Sequence, residues 1–201
     1  MLTKQKKLVL ANRFRGMLPV VIDVECSGLD PTTDALLEIA AVTLAMDSAG
    51  KLYKDKSFAY QVEPFAGARI DPEALAINKI DLTNPLRYPI PEQQALRRLF
   101  AKIKACVDEL QCQRAVLVGH NAWFDLAFMM AAAKRCRIKA IPFHSFTSFD
   151  TATLAGVALG ETVLARALKR AGIAFDINQA HSGIYDAERT AELFCYIVNR
   201  F

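Results

Sequence analysis

Residues 19–27, PVVIDVECS, are a short run of β-branched and apolar positions between Pro19 and Gly28, and they predict a buried strand. The runs LLEIAAVTLAMD (36–47) and KSFAYQVEP (56–64) read as two more, with a turn near Ser48, Ala49 and Gly50. Three strands so closely connected predict an antiparallel meander. Prolines 72, 85 and 89 then punctuate the chain around one short helical patch, PEALAI. A longer helix is expected from about Glu92 to Leu110, and a strand at AVLVGHN (115–121). The helix FDLAFMMAAAKRC, a last strand within FHSFTSFD, and helices near 150–159, 162–172 and 184–199 complete the chain. The order predicts an α/β fold, a mixed sheet flanked by helices. No internal repeat or linker interrupts it, so residues 1–201 read as one domain with a basic arm over about residues 1–16.

Four acids break this pattern. Asp23 and Glu25 stand two apart on the first strand, so their side chains leave one face of an otherwise apolar run. Asp125 is followed by Phe128, Met129, Ala132 and Ala133, and Asp186 by Thr190, Leu193, Phe194 and Ile197. Each aspartate therefore opens the buried stripe of its own helix. Taken singly, each is also what a helix dipole favours at its N-terminus. Taken with the strand pair, they read as one site. Like charges about 4 Å apart repel by roughly 4 kcal/mol at an effective dielectric near 20, so protonation or bound cations must relieve the cluster. Oxygen ligands without neighbouring cysteines select Mg²⁺ or Mn²⁺ over zinc. Two such ions roughly 3.5–4 Å apart suit in-line displacement at phosphorus. Glu38, mid-strand in LLEIAAV, is a candidate fifth acid.

His181 precedes Asp186 by five residues, which on a helix would turn the two side chains about 140° apart. It is therefore expected in the loop before the helix, with Gly183 letting that loop bend back over the site. A histidine there suits taking a proton from attacking water. His120 and His144 read as structural or peripheral.

Composition narrows the setting. The chain is 53% hydrophobic and 23% charged, in the range of ordinary globular proteins. No stretch approaches the roughly 20 apolar residues of a membrane span, and LVLA near the start is too short for a signal-peptide core. Five cysteines without a CxxC pair predict reduced thiols and a cytoplasmic setting. The net charge of +4 says little, but its placement says more. Lys4, Lys6, Lys7, Arg13 and Arg15 form one cluster without acids, and Lys134, Arg135, Arg137 and Lys139 another. Both suit a phosphate backbone, or else a solvated tail and a helix C-terminus.

Asp-x-Glu on a first strand, HNAWFD midway and HSGIYDAERT near the end, in that order, resemble the DEDDh 3′→5′ exonucleases of the ribonuclease-H-like fold. The resemblance runs nearly end to end, through RFRG, PVVIDVE, TDALLEIAAVTL, PEALAIN, FMMAAA, FDTATLAG and QAHSGIYDAERTAELFCYIVNR, and points to an RNA-trimming branch. It implies that Asp23, Glu25, Asp125 and Asp186 hold two divalent ions and that His181 is the general base. It implies hydrolysis of the 3′-terminal phosphodiester with release of nucleoside 5′-monophosphates. The substrates implied are 3′ ends of transfer RNA and other stable RNA precursors, together with single-stranded DNA ends. It further implies a homodimer in which basic segments of one subunit, matched here by Arg13, Arg15, Arg114 and Lys139, hold substrate for the other.

Glu73, Phe124 and Phe146 match positions that contact the terminal bases in that branch. Leu29 and Ile77 stand where it usually has aromatics, and Cys26 where it usually has threonine. The same acids serve proofreading DNA exonuclease subunits, and the basic arm favours RNA. A catalytically silent nucleic-acid-binding protein would require a lost acid, and none is missing.

Overall fold

The computed structural model describes residues 10–201, so Lys4, Lys6 and Lys7 of the basic arm lie outside the described residues. Strand β1 (Met17–Cys26) is central, with Val20, Val21 and Ile22 buried as a continuous apolar run requires. β2 (Leu36–Met46) pairs with it antiparallel, and β3 (Leu52–Gln61) pairs antiparallel with β2. This is the expected meander. β4 (Arg114–Gly119) runs parallel to β1 on its other side, and β5 (Phe143–Asp150) runs parallel to β4. The sheet order is β3-β2-β1-β4-β5. β3 begins at Leu52, four residues before the expected start, because the chain re-enters the ladder directly after the turn. Lys51, Lys54, Asp55 and Lys56 disguise this end as loop, whereas charges such as the exposed Asp55 and Lys56 are what an edge strand uses to discourage further pairing. Residues 62–64 leave β3, and Val62 instead bridges Ile90.

After β1, the α-helices among the described residues are α1 (Pro72–Asn78), α2 (Glu92–Glu109), α3 (Ala122–Arg135), α4 (Thr151–Leu159), α5 (Leu164–Ala171) and α6 (Gly183–Val198). Each lies within a residue or two of its expected span. Every residue of β2 is buried, so both faces of the sheet are covered. α6 crosses β1, β2 and β3, while α2 and α3 pack on the sheet with Leu96, Leu99, Ile103, Phe128 and Met129. α6 is apolar on more than one side. Phe194 meets Phe14 and Phe149, whereas Leu193 and Ile197 join Ala155, Ala167 and Leu168 in a smaller core with α4 and α5.

β1 and β4 both end on one edge, where the chain turns into the loop 27–35 and into α3. His120 stabilises this edge, its ring nitrogens lying 3.0 Å from Thr151 Oγ1 and 2.8 Å from the Thr162 carbonyl. Asp150 accepts the Asn121 N–H at 2.8 Å and caps α4 through Ala152 and Thr153. Beyond β1, Asp34 is fully buried and accepts both Arg69 Nε and Nη2, at 2.9 and 3.0 Å, plus the Asp30 N–H. Gly28 is required there, since a Cβ would fall 2.0 Å from Asp34 Oδ2.

The Arg69 donors hold the Asp34 carboxyl well below the usual carboxylate range, ahead of the opposing effect of burial. A carboxylate with a depressed folded-state pKa stabilises above its unfolded pKa, and that contribution is lost as pH falls towards the folded value. Asp34→Asn should therefore lower the thermal midpoint at pH 7 by a few degrees. The gap to wild type should shrink below about pH 4, where the unfolded carboxylate protonates. Thermal melts across that range check both.

Candidate active site

The sheet edge gathers the acids. Asp23 and Glu25 share one face of β1, and between them the Val24 N–H donates to Asp125 Oδ1 at 3.1 Å. Asp125 comes from the first turn of α3 and is almost fully buried. Two local features let it approach. Asn121 adopts a left-handed φ of 64°, which turns the chain sharply from β4 into α3. Gly119 keeps the space open, because a Cβ there would lie 2.8 Å from Asp125 Oδ2.

Asp186 lies in the first turn of α6, and its Oδ2 accepts the His181 N–H at 2.9 Å. Its Oδ1 is buried and has no hydrogen-bond partner among the described residues. His181 is exposed, in the loop before α6. The sharp bend of this loop falls on His181 itself, at φ 67°, and not on Gly183. Gly183 serves a different purpose: a Cβ there would sit 2.9 Å from Glu38 Oε1. The outcome is a cluster in which one ligand atom each from Glu25, His181 and Asp186 lie within 4.8 Å of one another.

Burial is the first cause of the site's electrostatics. It raises Asp23 well above the usual aspartate range, with the charges of Asp125, Glu25, Asp186 and Glu38 adding to it. Glu25 is pushed up to about 9 by burial and then by Glu38, Asp186 and Asp125. Asp125 rises to about 8, mostly from burial, against the N–H groups that favour its charge. Asp186 is raised by burial against its hydrogen bond from His181. The four acids of the sequence reading thus share one electrostatic neighbourhood. A buried orphan oxygen among clustered carboxylates suits a hard divalent cation, with His181 beside them.

The substrate candidates are more scattered. Phe124 packs on Phe128 at 4.8 Å between ring centroids, and Trp123 stands edge-on to Phe124 at 5.8 Å. Phe146 is exposed and backed by His144, and Leu29 and Ile77 are exposed as well. Glu73 sits in the first turn of α1, its N–H capped by Asp71. Arg15, Arg114 and Lys139 are exposed. Arg13 is committed elsewhere: it donates to the carbonyls of Gly50 and Val198 at 2.7 and 3.0 Å. Arg135, counted with the basic cluster, instead pairs with Glu92 at 2.6 Å and stacks on Phe65. Lys134, Arg137 and Lys139 remain exposed, and the last two line a 610 Å³ cavity with Arg97 and Lys104 over a floor that includes Phe100 and Ile141.

Sequence reasoning gave no role to Trp123, to the Gln61–Arg87 pair beside Glu38, or to Asp150. An indole beside HN-x-x-FD was a usable signal. Asp150 also carried a local signal, as the cap of α4 bonded to Ala152 and Thr153, whereas the Gln61–Arg87 pair is a tertiary contact with no local pattern.

A carboxyl whose folded pKa is raised destabilises the fold above its unfolded pKa. The metal-free protein should therefore gain stability as pH falls from about 9 towards 4.5, the window set by Glu25. Added divalent cation should restore the lost stability at pH 8. Thermal melts with and without chelator test this, and a midpoint indifferent to both pH and cation would contradict the shared-cation site.

An exonuclease family model matches residues 20–194, which run from β1 into α6 and include all four acids. The chain is 55% identical to ribonuclease T of Salmonella typhimurium over 192 residues, 96% of this chain and 89% of that protein. It is equally similar to ribonuclease T of Shewanella sp., over 96% of this chain and 86% of that one. Among solved structures, the nuclease domain of 3′hExo, a DEDDh family member bound to rAMP, superposes with a TM-score of 0.73 at 18% identity, covering 91% of this chain and 92% of that one. E. coli exonuclease I in complex with a dT13 oligonucleotide gives 0.68 at 17% identity, covering 92% of this chain and 41% of that one. The solved structures share the fold, and the near full-length identity reaches further: this chain belongs to the ribonuclease T family of exonucleases.

Proposed function

We propose that this 3′→5′ exoribonuclease trims the 3′ ends of transfer RNA and other stable RNA precursors, releasing nucleoside 5′-monophosphates, and that it also accepts single-stranded DNA ends. The observation that carries this is the compact grouping of Glu25, His181 and Asp186, with a buried Asp186 oxygen left unpartnered. Asp23, Glu25, Asp125 and Asp186 would hold two Mg²⁺ ions, with Mn²⁺ as a substitute, supplying charge stabilisation for displacement at phosphorus. His181 acts as general base, taking the proton of the attacking water at a ring nitrogen. Its exposed loop position leaves that ring open to solvent. Bonding of its N–H to Asp186 ties the loop to the carboxylate it serves.

Phe124, Phe146 and Glu73 would contact the terminal bases. Leu29 and Ile77 offer exposed aliphatic surface to the same clamp. Stacking on an aromatic contributes roughly 1–3 kcal/mol per base, and an aliphatic contact recovers only part of it. Discrimination against a 3′ cytosine is therefore relaxed. Arg15, Arg114 and Lys139 reach the substrate of the second subunit in a homodimer. Arg13 joins them only by giving up its carbonyl partners. One exonuclease domain spans the 201 residues, working in the cytoplasm.

Asp186→Asn should abolish mononucleotide release from a transfer RNA with a 3′ overhang while keeping a native melt. His181→Ala should slow turnover by roughly 10²–10⁴-fold and flatten the acid limb of the pH–rate profile. Product sizing on matched RNA and DNA measures both, and a strong preference for DNA would favour a proofreading role. Oligonucleotides ending in each base should be digested at similar rates. A strong block at terminal cytosine would refute the relaxed clamp.

A further inference from the structure

α6 has an incomplete N-terminus of its own. Ser182 occupies the cap position, yet its side chain makes no capping hydrogen bond. The first N–H groups of any helix lack partners within it, and when buried they must find some elsewhere. Here they find Glu38. This side chain, near the start of β2 and only 7% exposed, faces the backbone N–H groups of Gly183 and Ile184, which favour its charged form, and its Oε1 closes on Gly183. Its other oxygen accepts Gln61 Nε2 at 2.6 Å. Gln61 Oε1 in turn accepts Arg87 Nε at 2.9 Å, and Arg87 also donates to the carbonyls of Leu37 and Val62. Gly183 has room only for hydrogen against Glu38 Oε1.

We infer that Glu38 is a positioning residue: it caps α6 from the sheet and so sets where Asp186 and His181 stand relative to β1. The inference rests on the site reading given above. Three contacts make the linkage rigid. Glu38 pairs across the ladder with Glu25, so the cap is registered directly to a site acid. Asp186 lies on the same first turn as the capped N–H groups, and the Asp186 N–H bonds the Ser182 carbonyl at 3.0 Å. His181 hangs on Asp186 through its own N–H. Glu38 thus acts through α6, with Gln61 and Arg87 fixing its rotamer from the far side. The loss of its hydrogen bonds displaces a general base and a cation ligand together.

Glu38→Ala should lower kcat about tenfold to hundredfold with KM little changed, as expected when reacting groups are misplaced by a fraction of an ångström to an ångström. Amide hydrogen exchange should quicken at Gly183 and Ile184 while the core strands keep their protection. Glu38→Gln keeps an acceptor for α6 but sets its amide against that of Gln61, so it should fall between. The double variant Glu38→Gln/Gln61→Glu swaps donor and acceptor, keeps the net charge, and leaves a carboxylate for Arg87. It should recover turnover above Glu38→Gln alone.

A ligand role for the Glu38 carboxylate predicts the opposite, because moving the charge to position 61 would not rescue it. Failure of the double variant to recover would therefore overturn the inference. So would wild-type kcat and exchange in Glu38→Ala beside an inactive Asp186→Asn. An active Asp186→Asn would instead remove the site reading, and this inference with it.

Discussion

Several carboxylates lie together where water is scarce, and nearly every other feature of the sheet edge follows from that constraint. Burial, with the charges of Glu38, Asp186 and Asp125, lifts Glu25 to about 9, and burial lifts Asp125 to about 8, so each acid resists being ionised there. What keeps them in place is a set of backbone donors. Val24 holds Asp125, His181 holds Asp186, and Gly183 with Ile184 hold Glu38. Backbone N–H groups suit this task because the covalent frame of strand and helix fixes them. No side-chain rotamer has to be ordered to present them. The core beneath is accordingly apolar and continuous, because it must absorb an unfavourable electrostatic term that protonation or bound cations relieve.

Most of the architecture was legible in the chain. β1, β2, α2 and α6 carry unbroken apolar runs or clear stripes, and their spans came out within a residue or two. β3 was misplaced because charged residues on an edge strand look like loop until its partner is known. The acids were legible for the same reason that they are costly: a carboxylate opening a buried stripe violates the pattern around it. Glu38 broke a strand pattern equally plainly, and only its partners separate a helix cap from a metal ligand. Those partners, Gln61, Arg87 and Gly183, lie 23 or more residues away from it, at separations where a single sequence gives no pairing information.

Glycine was informative in a similar, indirect way. At positions 119 and 183 the residue is needed because a carboxylate occupies the space of a Cβ, from Asp125 in one case and Glu38 in the other. The backbone there is ordinary. The residues that truly bend at the site are Asn121 and His181, both in left-handed conformations. A side chain with a job to do accepts that strain where glycine would remove the job.

The basic residues divide on the same principle of partners. Arg69, Arg87 and Arg135 are spent on Asp34, on main-chain carbonyls with Gln61, and on Glu92, so they shape loops. Arg15, Arg114 and Lys139 remain exposed. That division suits a site whose own sign depends on its load. A cluster of ionised carboxylates repels a polyanion, and with a Debye length of roughly 8 Å in physiological salt a distant lysine cannot offset it. Exposed cations can only bring the strand near and orient it. Acceptance of the terminal phosphate has to come from cations seated among the acids themselves, while Arg15, Arg114 and Lys139 stay at the surface to guide the strand towards them.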